Sequence, residues 1–146
     1  MKFAVIVFAV VFASSASSHE VQRINPDGMT QPTAYSHLVK HDELLFIAGQ
    51  VALDHEGRVV GEGDMVAQVR QVLENLKTVL AAADADFSNV VKINIFTTDI
   101  EAFRQSGDVR RQYFGGYAPA STLVQIERLA RPVFMVEIEA IAIRPH

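Results

Sequence analysis

The chain has 146 residues, 49% of them hydrophobic and 21% charged, with a formal net charge of −4 and neither Cys nor Trp. That composition fits one globular domain and excludes a disordered chain, a collagen-like repeat and a disulfide scaffold. Without cysteine there is no thiol nucleophile, CxxC redox pair or thiolate zinc site, and the acidic balance opposes a grip on nucleic-acid phosphates.

Met1-Lys2 precedes an unbroken apolar run, Phe3 to Ala13, and then Ser14-Ser15-Ala16-Ser17-Ser18. A positive charge, about ten apolar residues and a small-residue tail make the three-part plan of a secretory signal peptide; the run is too short for a membrane span. Cleavage is expected after Ala16, with Ser18 as the alternative. Residues 1–16 are then the leader, and 17–146 form a single domain, secreted or periplasmic, with no membrane attachment.

Asn25-Pro26-Asp27-Gly28 has turn chemistry and belongs to an irregular N-terminal arm. Ser36 to Lys40 and Leu44 to Val51 read as a hairpin joined by His41-Asp42-Glu43, and Asp54-His55-Glu56-Gly57 as a turn. Gly61-Glu62-Gly63 is only a fragment of a phosphate loop and reads as the flexible entry to a helix. Asp64 is the expected N-cap of that helix. Met65, Val66, Val69, Val72, Leu73, Leu76, Val79 and Leu80 form its apolar face, with Gln68, Arg70, Gln71, Glu74, Asn75 and Lys77 opposite.

Val90 to Thr97 predicts a strand. Thr98-Asp99-Ile100-Glu101 reads as a capping box for a second helix through Phe103, Val109, Tyr113 and Phe114. Gly107 weakens that helix and Gly115-Gly116 stops it. Strands from Ser121 to Leu129 and from Val133 to Ile143 complete the order β-β-α-β-α-β-β. This is an α+β sandwich with both helices on one sheet face.

Alternation along the last strand puts Phe134, Val136, Ile138, Ala140 and Ala142 on the helix side. Met135, Glu137, Glu139, Ile141 and Ile143 take the other face, where two carboxylates stand among apolar neighbours. Lys92, Asn94 and Phe96 fall on the same face. Such a mixture suits a subunit interface enclosing a polar pocket, which predicts a closed homo-oligomer; the alternative is a monomer with exposed Ile. Glu137 and Glu139 are either an acid–base pair or an interface pair neutralised by a neighbouring subunit. His37 and His41 are four apart around a strand and turn, and read as surface histidines rather than a metal pair.

Three segments carry a family resemblance: Pro119-Ala120-Ser121-Thr122-Leu123-Val124-Gln125-Ile126, Val136-Glu137-Ile138-Glu139-Ala140-Ile141-Ala142, and Ala48-Gly49-Gln50-Val51. With Tyr35 and Val91-Lys92…Phe96, they resemble the RidA/YjgF family of reactive-intermediate deaminases over roughly residues 24–144. The resemblance implies a chorismate-mutase-like sandwich with a mixed sheet, assembled as a homotrimer with clefts between subunits. It implies hydrolysis of small 2-imino or enamino acids to 2-keto acids and ammonia without metal or cofactor. Glu137 matches the water-activating Glu, and Tyr35, Gly49, Ser121 and Thr122 match substrate-binding positions. Ser121 stands where the family pattern PAR[ST] has the Arg that grips the substrate carboxylate, and Gly107 replaces its cleft Asn. Replacing a charged pair by one hydroxyl weakens carboxylate binding by about 2–3 kcal/mol. Arg128, on a straight strand, projects opposite to Ser121, and Arg131 reaches only a cleft rim. The alternative implied by these departures is a non-catalytic trimer that binds a small molecule in the same cleft.

Overall fold

The computed structural model describes residues 20–144; the expected leader lies outside them. Six strands form one mixed sheet: β1 (Gln22–Ile24), β2 (Leu38–His41), β3 (Leu44–Gln50), β4 (Val90–Thr97), β5 (Ala120–Gln125) and β6 (Val136–Ile143). Their order across the sheet is β1-β2-β3-β6-β4-β5. The last strand in sequence is thus inserted at the centre, antiparallel to both β3 and β4, while β4 and β5 run parallel. A parallel pair needs a crossover, and α2 (Ile100–Arg104) with α3 (Gly107–Phe114) supplies it. The expected α+β sandwich is what forms.

Helix α1 (Met65–Ala81) begins where Asp64 accepts a hydrogen bond from Ala67 N at 3.0 Å. Val69, Val72, Leu73, Leu76, Val79 and Leu80 are buried, each such side chain worth about 1.5–3 kcal/mol. They meet Leu38, Leu45, Ile47, Ile95, Ile138 and Ala140 on the inner face of the sheet. Along β6 the buried residues are Val136, Ile138, Ala140 and Ala142, as strict alternation requires.

The arm over residues 25–34 is irregular, as expected, and an edge strand that the sequence did not predict, β1, precedes it and pairs with β2. Several expectations are corrected. The hairpin strands begin and end slightly differently, at Leu38–His41 and Leu44–Gln50. The second helix is two helices: the Ser106 hydroxyl donates to Phe103 O at 2.6 Å, competing for a carbonyl that a continuous helix would use, and Gly107 follows. Asp99, not Thr98, caps the first of them, accepting from Ala102 N. β5 stops at Gln125 and β6 starts at Val136 because their shared neighbour β4 ends at Thr97, opposite both residues. Without a ladder partner the chain beyond cannot remain strand. Gln68, expected on the polar helix face, is fully buried.

Candidate functional site

β6 presents Glu137 and Glu139 to the sheet face that no helix among the described residues covers, opposite Phe96 and Asn94 of β4. The two carboxylates are not equivalent. Glu139 accepts a hydrogen bond from Asn94 Nδ2 at 2.7 Å. Glu137 is half-buried, and that desolvation, followed by repulsion from Glu139, raises its pKa above the ordinary carboxylate value.

Room for Glu137 comes from the neighbouring strand. One extra residue bulges β3 between Ile47 and Gln50, where Ala48 and Gly49 oppose the single residue Glu139 between Ala140 and Ile138. Gly49 lies in that bulge, and the Glu137 carboxylate fills the space its missing Cβ would take. The glycine is used here for space rather than for backbone freedom.

Tyr35 stands beside this bulge, 54% exposed, its ring edge-on to His37 with centroids 5.6 Å apart. His37 is buried, correcting its expected surface position. Its Nε2 donates to Thr30 O at 2.9 Å, and its Nδ1 accepts from Gln50 Nε2 at 3.3 Å, the roles that a carbonyl and an amide N–H partner set. The His37 backbone also ties the arm to β3: its N–H donates to Asn25 Oδ1 and its carbonyl accepts from Ala48 N. Tyr35, His37, Gly49, Gln50 and Asn75 line one small cavity of about 30 Å³. Both His37 and Gln50 are buried, which the sequence pattern does not disclose, because a lone polar residue at the end of a short strand carries no sign of burial.

Thr122 lies opposite Asn94 on the open face and accepts from Lys92 Nζ at 2.7 Å. Lys92, Asn94, Glu139, Phe46 and Ile141 border a shallow cavity of about 310 Å³ there. Lys92, Asn94 and Phe96 therefore share the face of the two glutamates, as alternation required.

Ser121 does not. It pairs with Ile93, an inward residue, and so points to the helix side of the sheet. There it lines a groove with Arg110 and Arg111 of α3. The structure thus brings Glu137 against Gly49, sets Tyr35 and Gly49 around one cavity, and separates Ser121 from them. Arg128 is not on a strand at all, since β5 ends at Gln125; Arg131 stacks over the Phe134 ring, 5.0 Å from its centroid. Among the described residues no helix is long and apolar enough to cross a membrane.

Residues 27–144 match the family model described as Endoribonuclease L-PSP. The chain is 44% identical over 111 residues to protein DfrA of Myxococcus xanthus, covering 75% of this chain and 84% of that one. It is 38% identical over 110 residues to the 2-iminobutanoate/2-iminopropanoate deaminase of Mus musculus, covering 75% and 81%. A crystal structure of YyfA from Yersinia pestis, a protein of unknown function in the conserved Rid family, superposes with a TM-score of 0.79 at 31% identity. That match covers 85% of this chain and 99% of the other.

Proposed function

The chain belongs to the YjgF/RidA family, and we propose that it hydrolyses small reactive 2-imino or enamino acids to 2-keto acids and ammonia. One observation carries the reading: Glu137, half-buried over Gly49, holds its proton more tightly than an ordinary carboxylate. A base whose pKa is raised toward neutrality is better matched to proton transfer in water. In this reaction Glu137 takes a proton from water as the oxygen adds to the carbon of the protonated imine, giving a neutral carbinolamine. It passes that proton to nitrogen and then takes the hydroxyl proton as the C–N bond breaks, which leaves the keto acid and ammonia. Tyr35 lines the small cavity on the other side of Gly49. The chain's net charge of −4 and the two glutamates on the open face oppose the binding of an RNA backbone.

Ser121 and Glu137 occupy opposite sheet faces within one chain, so a site using both draws them from two copies. The open face supports that assembly: Leu44, Phe46, Val124 and Ile143 are all substantially exposed around the Lys92–Asn94–Glu139 cavity. Such a contiguous apolar area around polar groups suits a subunit interface, and we assign it to a homotrimer. Removal of residues 1–16 on export completes the reading, and the intact mass of the secreted protein tests it.

The test uses 2-iminobutanoate generated in situ, with keto-acid release measured against the spontaneous rate. Acceleration by the wild type, lost in Glu137→Gln, supports the hydrolase. No acceleration overturns it and leaves the second reading, a ligand-binding trimer without chemistry, which the serine at position 121 favours.

A further inference from the structure

Helix α3 and strand β5 enclose a groove of about 270 Å³ on the helix side of the sheet. Its walls are Ile93, Phe114, Tyr117 and Pro119, and its polar groups are Arg110, Arg111 and Ser121. Two cations and no acid line it, in a chain whose net charge is −4.

The two arginines are held differently. Arg111 pairs with Asp108 one turn earlier, an exposed contact that contributes little to stability. Arg110 has no carboxylate partner among the described residues; its guanidinium lies over the Phe103 ring, 4.6 Å from the centroid. Its Nε is buried without an acceptor. Burial and the nearby Arg111 both work against its charge, lowering its pKa from the ordinary value. A buried donor left unmatched costs free energy that an arriving anion would recover.

We propose that this groove is an oxyanion site in which Arg110, with Arg111 at its side, holds the carboxylate of a small 2-oxo or 2-imino acid. The assignment rests on the proposed hydrolase for the acid's identity, but not for the site. Guanidinium groups suit carboxylates because their planar donors meet both oxygens. The apolar walls take the acid's short side chain. Both departures from the family pattern fall in this groove: Ser121 where the strand arginine would be, and Gly107, whose absent Cβ would lie 3.6 Å from Arg111 Nη1. The positive charge has moved from the strand to the helix facing it.

The probe is 2-oxobutanoate, titrated calorimetrically into the full protein, with 2-oxobutanamide as the uncharged control. The acid binds and the amide does not. Arg110→Met weakens the acid by about tenfold or more, and Arg110→Lys restores part of the loss. Ser121→Glu places an acid in the groove at an exposed position and abolishes binding, which keeps the test decisive if Arg110→Met fails to fold. Equal binding of acid and amide, no binding of either, or unchanged affinity in the variants overturns the proposal. The two readings separate cleanly. Acid binding that depends on Arg110 without imine hydrolysis leaves the groove standing and removes the hydrolase. Hydrolysis with an unchanged KM in Arg110→Met and Arg111→Met does the reverse.

Discussion

A Cβ built on Gly49 would lie 2.0 Å from Glu137 Oε1 and 2.7 Å from its Cδ, so the two residues share one volume. No real Cβ tolerates such approach, and the carboxylate keeps its place only while residue 49 has no side chain. Gly49→Ala is expected to displace Glu137 while leaving the distant α1 core untouched. Misplacement of a reacting group by about 1 Å can cost on the order of 100-fold in rate. Keto-acid release should therefore fall far more than thermal stability does; a variant with wild-type kcat/KM would show that Glu137 need not sit there.

Glu137 also predicts a pH dependence of stability. Its folded pKa is raised above the unfolded value, so the stability it contributes is complete below the ordinary carboxylate range. That contribution declines as pH climbs through the raised folded value. Glu137→Gln removes the decline. Melting curves should coincide at acid pH and separate in favour of the variant toward neutral pH. Separation in the opposite sense would mean that a partner group stabilises the ionised form.

Gln68 clasps α1 to the segment entering β6. Its amide donates to Gly61 O at 3.2 Å and Val133 O at 2.8 Å, and its Oε1 accepts from Met135 N at 2.9 Å. Gln68→Leu fills the same space but strands those backbone groups out of water, at a cost of about 3 kcal/mol. Denaturant unfolding measures it directly. A loss below about 0.5 kcal/mol, the scatter of ordinary surface changes, would mean that these bonds are dispensable.

Phe46 projects from the uncovered sheet face, 44% exposed and opposite Ile141. If the proposed homotrimer forms through this face, Phe46→Glu shifts sedimentation toward the monomer, since a charge in an apolar interface goes unpaired. The isolated fold should survive, because residue 46 contributes nothing to the helix-side core. A wild type that already sediments as a monomer would remove the two-chain site.

Elements and faces were legible in the sequence because both are local. The helical period of Met65–Ala81 and the alternation of Val136–Ile143 follow from side-chain directions that neighbouring residues determine by themselves. The Asp64 cap is equally local. What the tertiary structure decided is non-local. Strand ends follow their partners: β5 and β6 are trimmed where β4 runs out. Ser121 faces the helices because its parallel register pairs it with Ile93, and no short-range pattern encodes that register. His37 and Gln68 are buried because distant carbonyls satisfy them, so polarity alone assigned them to the surface. The meeting of Gly49 and Glu137 depends on a one-residue bulge in a strand some ninety residues away. The chain's own residues thus determine which groups carry chemistry; pairing register, summed over the whole sheet, decides which of them meet.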